Sequence, residues 1–362
     1  MFDHYYALIM AGGGGTRLWP LSRKNTPKQL LPLVNEHSMF RTSVERLADL
    51  FPPERIFVST IGDYVEAFQS EAPQIPAQNF IVEPYGKNTA PAAALAIGVI
   101  HSRDPQATVA MTTADHHIGK VDVFLDVLKA AHELAQDDYV VTLGISPTFP
   151  STGFGYIRQG KVLKEIEPFT CHIADKFTEK PDVVRATQFV RSGQYTWNSG
   201  MFIWKTALAL SEFERQQPDI HQGLETLIPT VDTEQFAPTL DRIWEDMPTL
   251  SIDYAIMEGA KRIAVIPVDI GWSDVGSWAS LYDVLNKDKF GNCSSNPDES
   301  KRIILDSRNT LIYSNRLTVT IGVNDIIIVD AGDALLICHK DHAQDVRDVV
   351  RYLRDNGFDD YL

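Results

Sequence analysis

Four consecutive glycines, Gly12 to Gly15, follow directly on a short apolar run near the start of this 362-residue sequence. The run, Tyr5 to Met10, predicts a buried β-strand. Because glycine has no Cβ, successive backbone N–H groups in such a loop can turn inward onto an anion. Arg17 and Lys28 supply positive charge close by in the sequence. The strand and its loop therefore predict a polyphosphate-binding site.

Two well-known phosphate loops do not match this segment. The dinucleotide fingerprint G-x-G-x-x-G, started at Gly13, would need its third glycine where Leu18 stands. The Walker pattern G-x-x-x-x-G-K-[ST] needs a Gly-Lys pair, and this segment has none. The loop is thus of another type.

Composition and charge restrict the class of partner. The formal net charge is −15, which argues against a nucleic-acid partner because phosphate backbones are held mainly by Lys and Arg. Three widely spaced cysteines, Cys171, Cys293 and Cys338, favour free thiols over a disulfide framework. The N-terminus lacks a basic leader, and the apolar runs are shorter than a membrane span. We therefore expect a cytoplasmic protein without a membrane partner.

Short apolar strands alternate with helical patterns through the first half of the chain. This order predicts an α/β fold with a mostly parallel sheet and helices on both faces. Ligands collect at the carboxyl ends of the strands in such sheets, where Gly12, Glu83 and Asp115 are expected. Residues 153–157, 177–181 and 197–202 predict short strands and turns of an acceptor half beside the sheet.

The C-terminal part has a different pattern. Short strands between turn residues, from Ile303 to Ile337, precede a helical segment from His342 to Arg354. This spacing predicts a small β-roll or one to two turns of a β-helix. We therefore predict a catalytic domain over residues 1–287 and a small β-rich domain over residues 288–362.

Two segments resemble known families. The run from Gly12 to Ser22, with Pro27-Lys28-Gln29-Leu30, resembles the signature of the sugar-1-phosphate nucleotidyltransferases. The segment from Glu83 to Ala92 resembles the base-recognition motif of the mannose-1-phosphate guanylyltransferases. The resemblance implies a Rossmann-like catalytic domain followed by a left-handed β-helix-like domain. Many relatives carry a further isomerase domain, for which this chain ends too soon, so we expect guanylyltransferase activity alone.

The family resemblance also implies an activity and its ligands. The activity is Mg²⁺-dependent transfer of GMP from GTP to α-D-mannose 1-phosphate, which gives GDP-mannose and pyrophosphate. The phosphate nucleophile is already largely a dianion at neutral pH, since its second pKa is about 6, so the reaction needs no general base. A homodimer is compatible with the resemblance.

The resemblance assigns a role to residues in each segment. The catalytic group is Arg17, Lys28 and Asp115, and the metal ligands are Asp115 and Asp274. The nucleotide-binding residues are Gly12, Gly13, Gly14, Gly15, Thr16, Glu83, Lys87, Asn88 and Thr89. The sugar-phosphate-binding residues are Gly153, Glu179, Lys180, Asn198 and Ser199.

Purely structural roles for some of these residues stay open at the level of sequence. Asp115 also fits a helix N-cap, Asp274 a turn residue, and Asn88 or Thr89 an N-cap. The chain could use another base or hexose 1-phosphate, or it could be a regulatory subunit that binds a nucleotide sugar without turnover. Joint retention of Arg17, Lys28, Asp115 and Asp274 disfavours the regulatory alternative, because a sensor does not need the metal site and the charge clamp together.

Overall fold

The computed structural model describes residues 2–13, 15–294 and 301–362, so Gly14 of the predicted loop lies outside the described residues. The strands are, in chain order, β1 Tyr5–Met10, β2 Ile56–Ile61, β3 Phe80–Glu83, β4 Thr108–Thr113, β5 His117–Ile118, β6 Val140–Ile145, β7 Tyr156–Ile166, β8 Phe169–Thr178, β9 Tyr195–Lys205, β10 Ile263–Pro267, β11 Trp272–Ser273, β12 Cys293–Ser294, β13 Arg302–Leu305, β14 Leu311–Tyr313, β15 Thr318–Ile321, β16 Ile326–Asp330 and β17 Leu335–His339. The α-helices are α1 Met39–Glu45, α2 Val65–Glu71, α3 Thr89–Arg103, α4 Val121–Ala135, α5 Val183–Ser192, α6 Thr206–Gln216, α7 Pro218–Leu227, α8 Phe236–Asp246, α9 Trp278–Val284 and α10 Val346–Asp355. A π-helix spans Asp253–Met257.

Contacts within the chain divide it into two compact units. Unit 1 comprises Met1–Gly12, Val44–Thr113 and Ile118–Trp272. Unit 2 comprises Gly13–Ser43, Ala114–His117 and Ser273–Leu362, and so combines three segments that are distant in sequence. The domain boundary expected between residues 287 and 288 stays a prediction.

A nine-stranded sheet forms the centre of unit 1. Its strand order is β3-β2-β1-β4-β9-β6-β10-β8-β7. The strands β8 and β9 pair antiparallel with their neighbours, and the other strands all run in one direction. The predicted α/β fold with a mostly parallel sheet is therefore confirmed.

The long strands β7, β8 and β9 differ from the prediction. We expected their residues to form short strands and turns beside the sheet, but all three strands belong to the sheet and β9 lies between β4 and β6. Only the first two residues of β7 are buried and the rest are half-buried or exposed, so this strand lacks the regular alternation that identifies a strand from sequence. The acceptor segments are therefore carried by the sheet itself.

The alanine-rich helix α3 is the most buried helix of unit 1. Every residue from Ala90 to Ile100 is buried. Small side chains let neighbouring helices approach closely, and a Cβ on Gly98 would already lie 3.3 Å from Leu224 Cδ2 of α7. The helix is therefore part of the hydrophobic core on one face of the sheet.

Unit 2 contains a β-helix-like array. β12, β14 and β16 form parallel pairs in one sheet, β13 pairs parallel with β15 in another, and β17 closes the first sheet in antiparallel orientation. This confirms the predicted C-terminal β-helix-like domain. The buried core of unit 2 combines Leu311 and Ile327 of these strands with Leu18, Trp19 and Leu31 from the N-terminal segment.

Over the ranges that the structure describes, no helix combines the length and the apolar character that a membrane crossing requires.

Candidate active site

After the glycine run, unit 2 contains a short 3-10 helix, Thr16–Leu18. Gly15 precedes the helix with φ 62°, in the left-handed region that favours glycine. A Cβ on Gly15 would lie only 2.5 Å from the Cβ of Lys28. Gly13 and Thr16 are exposed to solvent. Glycine at position 15 thus lets the loop pack directly against the Lys28 segment.

Arg17 lies on the same short helix and is exposed. Its Nη1 donates a hydrogen bond to Gln344 Oε1 at 3.3 Å. Because this hydrogen bond is long and exposed, the guanidinium can leave Gln344 and bind an anionic ligand with little loss of free energy.

Lys28 has the most constrained cationic side chain of the loop region. Its side chain is 5% exposed, and its Nζ donates to Asp115 Oδ2 at 3.0 Å and to the backbone oxygen of Asp274 at 2.5 Å. One ammonium group therefore joins two loops that are far apart in sequence. Lys28 thus contacts the side chain of Asp115 and the backbone of Asp274, and the catalytic and metal-binding roles of these residues stay predictions.

Asp115 follows β4 by two residues. Burial works to raise the pKa of its carboxyl, but the charges of Lys28 and His116 and its hydrogen bonds outweigh burial and lower the pKa below the ordinary value. The next helix has Lys120 at its N-cap position, so the N-cap explanation of Asp115 does not hold. Asp115 is thus an ionised carboxylate beside Lys28.

Asp274 lies in a well-fixed loop before α9. Ser277 caps α9 in a capping box with Ser280, which satisfies backbone donors at the start of the helix. Val275 has φ 43°, an uncommon conformation for a β-branched residue. A Cβ on Gly276 would lie 2.3 Å from Asp274 Oδ2, so the carboxylate rests against a residue that must lack a side chain.

Glu83 ends the edge strand β3 in unit 1 and is 3% exposed. Ser59 Oγ donates to Glu83 Oε1 at 3.4 Å, and a Cβ on Gly12 would lie 3.7 Å from the same oxygen. Burial raises the pKa of Glu83 to about 7, against hydrogen bonds from Ser59 and the backbone N–H of Lys87 that lower it. The carboxyl is therefore an unusually basic group beside the start of the glycine loop.

Lys87 is buried, and its ammonium is hydrogen-bonded to residues other than Glu83. The Nζ donates to the backbone oxygens of Glu245 and Met247 at 2.7 and 2.6 Å. These carbonyls belong to the C-terminal end of α8, where a cation also compensates the helix dipole. In this structure, Lys87 fixes the loop to α8.

Asn88 and Thr89 start the buried helix α3. Asn88 has φ 73°, occupies the N-cap, and accepts a hydrogen bond from the backbone N–H of Thr89 at 2.8 Å. The predicted N-cap role of Asn88 is therefore confirmed. Thr89 Oγ1 accepts from the N–H of Ile252 at 2.9 Å, so it connects α3 to the segment before the π-helix.

Glu179 and Lys180 follow β8 directly. Lys180 Nζ donates to Glu179 Oε1 at 2.7 Å, while the other carboxylate oxygen, Oε2, is buried without a hydrogen-bond partner. Burial lowers the pKa of Lys180, but the hydrogen bond and charge of Glu179 raise it overall. Lys180 also has φ 42°. Strained backbone at a non-glycine residue often accompanies functional sites.

Asn198 and Ser199 lie within β9 and are buried. The N–H of Asn198 donates to Gly155 O at 2.8 Å, and a Cβ on Gly155 would lie 2.4 Å from Glu179 Oε2. Gly153 instead lies in an exposed loop, where its N–H donates to Ser151 Oγ at 3.1 Å. Sequence reasoning selected Gly153 and missed Gly155, although the same Gly-Phe-Gly motif contains both.

The predicted residues thus form separate groups within the two units. In unit 1, Gly12 lies close to Glu83. A second group of that unit comprises Glu179, Lys180 and Asn198 beside Gly155. In unit 2, Gly15, Lys28, Asp115 and Asp274 form one group. Ser59, which sequence reasoning also missed, was detectable only as a polar residue at the end of a buried strand next to β3.

The sequence also matches known protein families. The profile described as "Nucleotidyl transferase" matches residues 6–290, and "MannoseP isomerase/GMP-like beta-helix domain" matches residues 300–353. Together with the sheet and its β-helix, the first match defines the class of this protein as a nucleotidyltransferase.

Individual relatives narrow the class. A mannose-1-phosphate guanylyltransferase of Salmonella muenchen is 39% identical over 97% of this chain and 73% of its own length. The alginate biosynthesis protein AlgA of Pseudomonas fluorescens is 38% identical over 97% of this chain and 72% of its own length. The chain belongs to the mannose-1-phosphate guanylyltransferase family.

A solved structure supports the same relationship. The crystal structure of a protein from Thermus thermophilus, described as mannose-1-phosphate geranyltransferase, superposes with a TM-score of 0.87. It is 34% identical, and the match covers 97% of this chain and 99% of that one.

Proposed function

We propose that this enzyme transfers GMP from GTP to α-D-mannose 1-phosphate and thereby forms GDP-mannose and pyrophosphate. The family membership supports the reaction class, and the names of the relatives support mannose 1-phosphate as the acceptor. The observation that carries the proposal is the contact of the Lys28 ammonium with the carboxylate of Asp115 and with the backbone oxygen of Asp274. A buried cation held in a fixed position suits the transfer of a charged phosphoryl group.

In the proposed reaction, a phosphate oxygen of mannose 1-phosphate attacks the α-phosphorus of GTP. The bond from that phosphorus to the bridging oxygen of pyrophosphate breaks, and pyrophosphate leaves with the electron pair. Lys28 and Arg17 would stabilise the charge that accumulates on the phosphates, and the backbone N–H groups of Gly13, Gly15 and Thr16 would bind the phosphate oxygens. The nucleophile needs no general base, because its second pKa is about 6.

The residues of unit 2 fit a divalent cation. Mg²⁺ prefers one or two carboxylates together with phosphate oxygens and waters. The carboxylate of Asp115 contacts Lys28, and the backbone of Asp274 contacts the same ammonium. Within the residues that the structure describes, no three His, Cys, Asp or Glu side chains gather as a closed metal site. When bound, the ion would neutralise phosphate charge. We propose Asp115 and Asp274 as its ligands.

The group around Glu83 supports guanine as the base. Guanine presents an N1–H and an exocyclic amine, and a buried carboxylate can accept from both. Adenine lacks this pair of donors, so a wrong base would leave a buried charge without a partner, which is strongly unfavourable. Lys87, Asn88 and Thr89 would hold this loop in place through α8 and α3.

The group around Glu179 supports the hexose phosphate. Lys180 would bind its phosphate, and Glu179 and Asn198 would hydrogen-bond its hydroxyls. The buried, unpartnered Glu179 Oε2 suits a hydroxyl donor of a ligand. Ser199 and the Gly153 loop would support these residues. We also propose a cytoplasmic location, where GTP is available and the thiols of the three cysteines stay reduced.

A substrate panel tests the proposal. Purified protein with Mg²⁺ is offered each of the four nucleoside triphosphates with mannose, glucose or fucose 1-phosphate, and pyrophosphate release is measured. We expect GTP with mannose 1-phosphate to give the highest kcat/KM. Preference for another pair would show that this other pair is the true substrate pair. No pyrophosphate release with any pair and any divalent metal would refute catalysis and favour the regulatory alternative.

A further inference from the structure

Asp253 is a half-buried residue whose carboxylate the proposed roles do not use. It starts the π-helix Asp253–Met257, an element that recurs at functional sites. Its Oδ1 accepts a hydrogen bond from Asn198 Nδ2 at 2.9 Å. This bond joins the π-helix to β9, at the residue proposed to contact the sugar.

The amide of Asn198 has a defined orientation because of its partners. Its Oδ1 accepts from the N–H of Gly200 at 3.1 Å and from Thr142 Oγ1 at 3.4 Å, while Nδ2 faces Asp253. The amide nitrogen carries two hydrogens, so one N–H remains for a ligand. Without the Asp253 acceptor, the orientation of the amide would depend on two weaker contacts.

A second observation indicates that this neighbourhood receives a ligand. Glu179 Oε2 is buried without a hydrogen-bond partner, and a Cβ on Gly155 would lie 2.4 Å from this oxygen and 3.2 Å from Asn198 Cβ. Buried polar atoms without partners are uncommon in folded proteins. A ligand hydroxyl would satisfy this oxygen.

The location of Asp253 agrees with this role. It lines a cleft of about 390 Å³ together with Asn88, Thr89, Lys180, Ser251 and Tyr254. This volume lies within the range of small-molecule sites. Burial and then the charge of Glu179 raise the pKa of Asp253 to about 6, against Lys180 and the Asn198 hydrogen bond, which lower it. Asp253 therefore shares an electrostatic environment with the proposed sugar ligands.

We propose that Asp253 is a positioning residue of the hexose-phosphate subsite, acting through Asn198 whose amide it orients toward the acceptor. The inference rests on the proposed function for the identity of the acceptor. It assigns to Asp253 no contact with the reacting atoms. Its effect should therefore fall on acceptor binding and leave binding of the triphosphate unchanged.

Two substitutions separate the hydrogen bond from the charge. Asp253→Ala removes the acceptor of Asn198, whereas Asp253→Asn keeps an oxygen that can accept the same bond. We expect Asp253→Ala to raise the KM for mannose 1-phosphate about tenfold, with the KM for GTP within about threefold of wild type. Asp253→Asn should stay within about threefold of wild type for both substrates. The matched control, Asp246→Ala, changes an exposed carboxylate of α8 and should leave both values unchanged.

The double variant tests the path through Asn198. If Asp253 acts only by orienting Asn198, the variant Asn198→Ala with Asp253→Ala should show the same acceptor KM as Asn198→Ala alone. Additive effects in the double variant, or equal rises in both KM values in Asp253→Ala, would overturn the inference. Should Asp253→Ala fail to fold, an acceptor KM raised tenfold in the folded Asp253→Asn variant would also overturn it.

Failure of the proposed function is recognised separately. Wild-type protein and Asp246→Ala that make no GDP-mannose would refute the proposed function. In that case, calorimetry with mannose 1-phosphate, and then with glucose 1-phosphate, tests the subsite without turnover. Weaker binding to Asp253→Ala than to Asp253→Asn would support the positioning role, and equal binding to both variants would refute it.

Discussion

At the residue scale, buried ionisable side chains carry the chemistry of this protein. Glu83 lies at the end of β3 with a raised pKa, and Lys28 is held between Asp115 and a backbone carbonyl of Asp274. Buried charges are costly unless they are paired or used. These side chains therefore mark the positions at which a single substitution should be most informative.

The raised pKa of Glu83 predicts a pH dependence. The proposed guanine contact needs the carboxylate, and the carboxyl titrates near pH 7. In wild type, kcat/KM for GTP should therefore rise as the pH increases through about 7. Glu83→Gln cannot ionise, so its profile should lose this rise and its preference for GTP over ATP should fall. A wild-type profile retained in Glu83→Gln would remove Glu83 from base recognition.

Removal of the Lys28 ammonium should affect catalysis and stability together. Lys28→Met leaves the Asp115 carboxylate, whose side chain is 29% exposed, without its cation, which should cost roughly 1–3 kcal/mol in the free energy of unfolding. Loss of charge stabilisation at the phosphates should lower kcat roughly 10²-fold to 10³-fold. Urea unfolding and initial rates measure the two effects. The control is Lys129→Met, at an exposed lysine paired with Asp126, which should change the free energy of unfolding and kcat very little. Similar losses in both variants would contradict a special role for Lys28.

At the element scale, loops with unusual backbone conformations hold the candidate groups. Asn88, Lys180 and Val275 are non-glycine residues with positive φ, and each lies in a segment proposed to bind substrate. Such conformations persist only where the surrounding structure enforces them. The capping box of α9 and the N-cap of α3 provide that enforcement beside Val275 and Asn88.

The glycine loop offers a matched pair of substitutions. Gly15→Ala places a Cβ 2.5 Å from Lys28 Cβ at φ 62°, whereas Gly193→Ala adds a Cβ at φ 64° with nothing within 4 Å. Both variants strain the backbone, and only the first also displaces Lys28. We expect Gly15→Ala to be less stable than Gly193→Ala by at least about 1 kcal/mol and to lose activity. Equal stability and activity of the two variants would show that the close approach does not matter.

The strongest local patterns were sufficient to predict many elements. Continuous apolar runs predict strands over Tyr5–Met10 and Ile263–Pro267, and a regular amphipathic pattern predicts a helix over Val121–Ala135. The strands β1 and β10 and the helix α4 have these bounds. The helices α5, α7 and α8 were not predicted. α7 starts with a proline and α8 contains one near its start. α7 packs against α3 and α6, α8 against α7 and α5 against β9, so these helices depend on packing more than on local propensity.

The sequence predicted some residues of the candidate site but not the contacts that they make. Motif order selected Lys28, Asp115 and Asp274, and the structure brings them together. It could not reveal that Lys87 is hydrogen-bonded to the end of α8, because its partners are the backbone oxygens of Glu245 and Met247, and every residue has a backbone oxygen. Gly155 and Asp253 were missed for the same reason, since their importance lies in contacts made after folding.

At the scale of the whole molecule, the C-terminal array stabilises the N-terminal segment. Leu18, Trp19 and Leu31 share one buried core with Leu311 and the β-helix strands. Trp278 Nε1 also donates to the backbone oxygen of Trp19 at 2.9 Å. Packing against the β-helix therefore helps to stabilise the N-terminal segment that contains Lys28.

This shared core predicts a remote effect on the site. Leu311→Ala removes a fully buried side chain of the β-helix and should lower the free energy of unfolding by roughly 2–5 kcal/mol. Activity should then be lost at a lower temperature, together with unfolding followed by circular dichroism. Leu335→Ala, at a side chain that is 52% exposed on β17, should change stability by less than about 0.5 kcal/mol. A stable Leu311→Ala variant with an unchanged inactivation temperature would contradict the supporting role.

The most direct test asks whether Asp115 and Asp274 share a divalent ion beside the nucleotide. Crystals with GDP-mannose and Mn²⁺, an ion with the oxygen preference of Mg²⁺, would show the metal by its anomalous scattering. We predict one anomalous peak within about 2.3 Å of a carboxylate oxygen from each aspartate, and no peak there in crystals of the Asp274→Asn variant. A peak elsewhere, with both carboxylates uncoordinated beside bound GDP-mannose, would contradict the account.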